Sequence, residues 1–273
     1  AHAMTTIATG GFSTSDGSIG HFDSIWVDYI AVAGMIIGAL PFVLYLKTIQ
    51  GEWGALYRDT QVQWFITAVV LIILVIAGWL WLERNASLEH ALRLAAFNIV
   101  SIITGTGYAT DDFSQWGHFA LPIFFFIMFV GGCAGSTTCG IKVFRIQVLY
   151  AAARTQIHHL LQPHGIFVPY YNRQPISDEV ITSVLSFFFM WFFTFCLLAL
   201  GLGFLGLDFI TAFSSAASAI ANVGPGLGPI VGPAGTFQPL PDAAKWLLTA
   251  GMLLGRLELF TVIVLFTRSF WRG

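Results

Sequence analysis

Three stretches of this 273-residue chain carry one pattern. They are Thr5-Thr-Ile-Ala-Thr-Gly-Gly-Phe-Ser-Thr14, Ser101-Ile-Ile-Thr-Gly-Thr-Gly-Tyr-Ala-Thr110 and Ser218-Ala-Ile-Ala-Asn-Val-Gly-Pro-Gly-Leu-Gly228. In each, a small-residue apolar helix runs into glycine, with a bulky or rigid residue behind it; Gly11-Phe12, Gly107-Tyr108 and Gly224-Pro225 are the matching positions. Recurrence at intervals of roughly one hundred residues restricts the fold more than any local propensity does, because each copy must be one unit of a repeated architecture.

The segments between the copies belong in a membrane. Charged residues are 10% of the chain and hydrophobic ones 56%, against about 25% charged in a soluble domain. Residues 25–46, 64–82, 181–204 and 246–266 are apolar runs long enough to cross a hydrocarbon core of about 30 Å. Residues 92–103 and 209–221 are apolar but too short, so they are expected to be re-entrant, and residues 1–7 read as the tail of a similar helix. Residues 119–150 form a crossing interrupted by Gly131-Gly-Cys-Ala-Gly-Ser-Thr-Thr-Cys-Gly140. Backbone of that kind at membrane depth must be buried in protein or line a water-filled cavity. Cys133, Cys139 and Cys196 form no CxxC or Cys/His cluster, so neither a disulfide framework nor a zinc site is implied. The chain lacks a basic leader and starts inside a repeat, so further N-terminal sequence is expected.

Charge sorts by side. Lys47, Arg58, Lys142, Arg145, Arg154, Arg173, Arg268 and Arg272 fall on one face, which the positive-inside rule makes cytoplasmic. The other face has Arg84, Arg93 and Lys245 among Asp16, Asp23, Glu83, Glu89, Asp111, Asp112, Asp208 and Asp242. All three glycine turns then open outward under an acidic rim that concentrates cations.

A cation leaves water only where oxygens replace its hydration shell, and rings of backbone carbonyls can do so. Glycine admits left-handed backbone, so carbonyls can be aimed at one axis, and a short helix behind each turn directs its negative end toward the ion. Ordinary inter-helix turns are the plainer alternative, which three copies in step disfavour. The break at residues 131–140 reads as a gate rather than a packing kink. It is not a phosphate loop, because Ile141-Lys-Val143 follows where Gly-Lys-Ser/Thr is needed. Arg256 lies near the middle of the last crossing; arginine there faces a cavity or partner, and carbonyls of residues 131–140 are the expected partners, with Glu258 pointing elsewhere. His158, His159 and His164 read as solvated surface, and Asn85-Ala-Ser87 is too common a pattern to use.

With these motifs in place, the chain resembles the Trk/Ktr/HKT superfamily of potassium transporters, most of all its bacterial TrkH/TrkG branch. The carrying residues are Ala8-Thr-Gly-Gly-Phe-Ser-Thr14, Thr104-Gly-Thr-Gly-Tyr108, Gly131 through Arg145, Asn222-Val-Gly-Pro-Gly-Leu-Gly228 and Gly255-Arg-Leu-Glu258. The resemblance implies an all-α membrane fold: repeats of outer helix, re-entrant pore helix with filter, and inner helix around a pseudo-fourfold pore. The first repeat and part of the second are missing from this chain. Residues 1–60 would be the end of a pore loop and the inner helix of the second repeat. Residues 61–178 would be the third repeat with a broken inner helix and a cytoplasmic linker, and residues 179–273 the fourth.

By the same resemblance the potassium filter is Thr9, Gly10, Gly11 and Phe12, then Gly105, Thr106, Gly107 and Tyr108, then Asn222, Val223, Gly224 and Pro225. The gate is Gly131, Gly132, Gly135, Ser136, Thr137 and Gly140, with Arg256. Cys139 departs from the smaller residue expected there. No covalent cofactor is implied; K+ is the transported ion and the only metal. A regulatory nucleotide is expected on a cytoplasmic TrkA-like partner subunit, docking on residues 151–178 and the C-terminal arginines. A homodimer in the bacterial inner membrane is expected, with lipid and no nucleic acid as partners, and symport against channel behaviour is left open. The rivals are a secondary transporter of another ion or small solute, which should show paired midplane breaks in matched halves, and a membrane enzyme, for which no intramembrane catalytic cluster is evident.

Overall fold

The computed structural model describes residues 1–84, 87–257 and 259–272. Helix α1 (His2–Ile7) leads through the first glycine turn to α2 (Ile25–Ala39). Leu40 is extended, with φ −88° and ψ 158°, because the ring of Pro41 disfavours helical backbone at the residue before it. Helix α3 (Phe42–Ile49) departs at 92° to α2, so residues 25–46 are a bent pair and not one straight crossing.

After α4 (Ala55–Arg58), α5 (Thr60–Arg84) is long and apolar enough to cross a membrane. Helix α6 (Leu88–Ile103) is capped by Ser87, whose hydroxyl accepts from His90 N at 3.3 Å. Helix α7 (Ala120–Ile127) gives way to the loop of residues 131–142, and α8 (Val143–Leu161) runs well past Tyr150, where the crossing was expected to end. The segment expected to be a plain linker thus holds about three turns of helix. It also holds a hairpin, β1 (Tyr170–Tyr171) against β2 (Gln174–Pro175). The hairpin turns on Asn172 and Arg173, both left-handed at φ 47° and 66°, as the favoured two-residue turns require.

Helix α9 (Asp178–Phe204) is the second helix long enough to cross. It is followed by α10 (Phe209–Ala221), α11 (Gly228–Val231), α12 (Asp242–Arg256), α13 (Leu259–Leu265) and α14 (Arg268–Arg272). The crossing expected over residues 246–266 is therefore interrupted directly after Arg256. Glu258, Asn85 and Ala86 lie outside the described residues, as does the side chain of Arg272.

Helices α6 and α10 are the innermost. Ten residues of α10 are buried, Ser and Thr among them, and α6 contributes Ile99 and Ile102 to one apolar cluster and Phe97, Val100 and Ile103 to another. Lipid supplies no hydrophobic drive between helices, so close van der Waals contact through small residues holds them. Gly34 and Gly38 of α2 seat on α1, and Gly255 of α12 seats on α10, while Gly251 packs chiefly against Leu198 of α9. A Cβ on Gly38 would lie 2.6 Å from Ile7 O, and one on Gly255 would lie 1.9 Å from Ile220 O. Ile7 and Ile220 each stand two residues before their turn, so the two helix pairs use the same contact.

Candidate functional site

The three turns have one backbone conformation. Each helix ends by placing a residue in the left-handed region: Thr9 (φ 47°), Gly105 (φ 68°) and Asn222 (φ 54°). Its N–H donates three residues back, to Thr6 O, Ile102 O and Ala219 O at 3.2, 3.0 and 3.2 Å. The next N–H donates five back, to Thr5 O, Ser101 O and Ser218 O at 2.8, 2.9 and 3.0 Å. This is the Schellman closure of a helix C-terminus, normally given to Gly or Asn at the left-handed position. Thr9 is β-branched there, a conformation that costs free energy and is held by its surroundings. Two residues further on, the chain is left-handed again at Gly11 (φ 64°), Gly107 (φ 81°) and Gly224 (φ 115°).

A hydroxyl four residues ahead of each turn braces its exit. Thr5 Oγ1 donates to Phe12 O (3.0 Å), Ser101 Oγ to Tyr108 O (2.6 Å) and Ser218 Oγ to Gly224 O (2.9 Å). The turns also abut in sequence order. A Cβ on Gly11 would lie 1.8 Å from Thr106 O, and one on Gly107 would lie 2.1 Å from Val223 O. The third residue of one turn therefore seats against the second carbonyl of the next, twice over. The side chains behind the glycines differ: Tyr108 is buried, its hydroxyl 2.5 Å from Thr5 Oγ1, whereas Phe12 is 75% exposed.

The loop after α7 completes the bent α2. Breaking a helix frees carbonyls before the break and amides after it. Cys133 N donates to Ala39 O (3.0 Å) and Thr137 N to Gly38 O (3.2 Å), while Phe42 N donates to Gly135 O (3.0 Å). Gln61 of α5 accepts from Ala134 N at 2.9 Å. Thr137 Oγ1 reaches the first turn, accepting from Thr9 Oγ1 at 3.1 Å and donating to Ile7 O at 3.2 Å. Arg256 arrives from α12: its Nη1 lies 3.4 Å from Thr137 O and 2.6 Å from Cys139 Sγ. A cavity of about 210 Å³ lies here, lined by Ser136, Thr138, Lys142, Arg145 and Arg256 among others. Gly131, Gly132 and Gly140 pack inside the loop, where a Cβ on Gly131 would lie 2.0 Å from Cys139 O.

The model of the TrkH family, described as a cation transport protein, matches residues 1–272. The chain belongs to the TrkH family. The Trk system potassium uptake protein TrkI of Halomonas elongata is 50% identical over 99% of this chain and 55% of that protein. The Trk system potassium uptake protein TrkH of Escherichia coli is 34% identical over 99% of this chain and 56% of that protein. The crystal structure of the potassium transporter TrkH from Vibrio parahaemolyticus matches with a TM-score of 0.91 at 35% identity, covering 98% of this chain and 57% of that one. The chain thus spans a little over half the length of these relatives. Family and apolar helices make it a multi-pass inner-membrane protein.

In this TrkH-family chain, the residues singled out from sequence fall into two places. The three turns lie against one another, and residues 131–140 meet Arg256 next to the first turn. The three bracing hydroxyls were missed as a set; their signal is a Ser or Thr four residues before each turn. A buried pair was missed as well: Arg93 of α6 and Asp28 of α2 meet at 2.6 Å. On the acidic rim, Arg84 holds Asp111 at 3.4 Å. Asp208 accepts from Thr211 N at 3.1 Å, and hydrogen bonds from Thr211 keep its carboxyl below the usual range. His158 and His159 pack around Phe167, with ring centroids 5.4 and 5.2 Å away.

Proposed function

We propose that this chain carries three quarters of a potassium path, with pore-helix turns at Thr9–Phe12, Gly105–Tyr108 and Asn222–Pro225 as filter quarters. The quarters are the end of a second repeat (1–60), a third repeat (61–178) and a fourth (179–273). A further quarter comes from sequence outside this one, in keeping with the share of the relatives that it spans. The observation that carries the reading is the repeated seating of Gly11 on the Thr106 carbonyl and of Gly107 on the Val223 carbonyl. Three turns with the same helix closure and the same pair of left-handed positions, touching in order, favour main-chain oxygens around a common line over turns that merely connect helices. Such oxygens replace the water around an ion, and the ends of three helices add negative potential.

Residues 131–140 with Arg256 act as the gate beneath. A fixed guanidinium beside the path raises the barrier to a cation, and a loop bonded through backbone to α2 can exchange those bonds. The breaks between α2 and α3 and between α7 and α8 would suit a secondary transporter of another solute. Serial turns ahead of both breaks favour the ion path. K+ is the cargo, no bond is made or broken, and a TrkA-like nucleotide-binding subunit is the proposed cytoplasmic partner of a homodimer. Rubidium and sodium uptake by the complete protein, with and without that partner, tests the reading. Rubidium preference that responds to the partner supports it, and equal uptake of the two ions defeats it.

A further inference from the structure

A second cavity, of about 480 Å³, opens beside the first turn of α5, between α8 and the segment entering β1. Gln147, Tyr150, Arg154 and His158 line it from α8, spaced by three and four residues and so sharing one face. No carboxylate lines it, and Arg154 has no ion-pair partner among the described residues. At the floor, Gln147 is 6% exposed; its Nε2 donates to Thr60 O at 3.0 Å, but its Oε1 has no partner, nor has Thr60 Oγ1. Buried acceptors left open are costly and call for a donor. Tyr171 lines the wall, and burial, then the charge of Asp59, push its hydroxyl up to about 12, so it stays a neutral donor.

The rim places the cavity at headgroup level. Trp64, at the start of the α5 crossing, meets Tyr150 edge-on at 5.3 Å, and both are partly exposed, as aromatic residues at a membrane interface are. An unpaired guanidinium, open acceptors below it and an aromatic lip suit a phosphodiester that carries hydroxyl groups and is tethered to acyl chains. We propose that this cavity binds the headgroup of an anionic phospholipid, its phosphate on Arg154 and its hydroxyls over the floor that Gln147 and Thr60 line. The site stands apart from the ion path and does not depend on it. A soluble phosphate ester shares the headgroup chemistry but gains nothing from the lip.

Native mass spectrometry of the complete protein exchanged into phosphatidylglycerol or phosphatidylcholine tests this, with glycerol 3-phosphate as the soluble arm. Wild type should retain one phosphatidylglycerol more tightly than phosphatidylcholine. Arg154→Gln should weaken that retention roughly fivefold, while Lys245→Gln on the opposite face leaves it unchanged. Quenching of Trp64 by brominated phosphatidylglycerol, read as the difference from Trp64→Phe, should fall with Arg154→Gln at an unchanged melting temperature. Equal retention by wild type and Arg154→Gln, no preference between the two lipids, or displacement of the lipid by glycerol 3-phosphate would overturn the proposal.

Discussion

Each glycine turn closes on its own helix, whereas residues 131–140 close partly on themselves and partly on other elements. The turns draw their amide partners from carbonyls three and five residues back and a hydroxyl brace from the same helix. The loop, made of the same Gly, Ser and Thr, has some bonds of its own, Gly132 N donating to Thr138 Oγ1 at 3.0 Å and Gly131 N to Ile141 O at 2.9 Å. It takes further partners from the broken end of α2, from Gln61 and from Arg256. Local closure fixes a shape before tertiary packing acts; borrowed closure exists only while the lenders stay in place. The turns therefore suit a rigid selective element, and the loop suits a part that changes partners.

Paired substitutions can break this contrast. The largest effect is expected from Gly107→Ala, which adds a Cβ 2.1 Å from Val223 O at a φ of +81°. Left-handed backbone alone costs a residue with a Cβ roughly 1–2 kcal/mol, and the contact forces the neighbouring turn aside. Gly107→Ser shares the defect. Either should collapse the rubidium-to-sodium uptake ratio toward one; an unchanged ratio would dissolve the distinction. Gly135→Ala is the foil: φ is +74° but nothing lies within 4 Å of its Cβ, so selectivity should persist with a loss of about 1 kcal/mol in stability.

Next comes Arg256→Ala. Removing the guanidinium beside Thr137 O and Cys139 should raise rubidium flux roughly tenfold without altering the ion ratio. Flux at or below wild type, with normal membrane expression, would count against the gate. Ser101→Ala strands Tyr108 O, a loss of about 1–3 kcal/mol for a buried acceptor. It should lower the melting temperature and the uptake ratio together, whereas Ser136→Ala in the loop should leave the ratio alone.

The smallest effect is at the start of α10. Asp208→Ala removes an N-cap, costing about 1 kcal/mol. Because the folded carboxyl sits below its ordinary value, the stabilisation is complete above the unfolded pKa. It fades as pH falls through the folded one, so melting curves of wild type and Asp208→Ala should begin to approach each other below about pH 4 and meet only below the folded pKa.

The parts of the fold that read clearly from sequence were those with local causes. Residues 209–221 form a helix with the expected bounds because Asp208 caps it and Asn222 stops it. The positions of the three turns were legible for the same reason. The bends were not. Pro41 marks the break in α2, yet the apolar run continues through it and hydropathy alone draws one span. The interruption after Arg256 has no proline to mark it, and Leu257 is itself apolar. The seating of Gly11 on Thr106, and of Arg256 on Thr137 and Cys139, joins residues about one hundred or more apart, so no local pattern could supply it. Arg256 was nonetheless conspicuous, because an arginine among apolar residues needs a partner.

Anomalous diffraction from crystals of the complete protein grown in rubidium tests the central claim most directly. We expect a rubidium peak bounded by main-chain oxygens of Thr9–Phe12, Gly105–Tyr108 and Asn222–Pro225, with Arg256 on the cytoplasmic side of it. A well-ordered structure whose rubidium lies away from all three turns, or is held by side-chain carboxylates instead, would contradict the account.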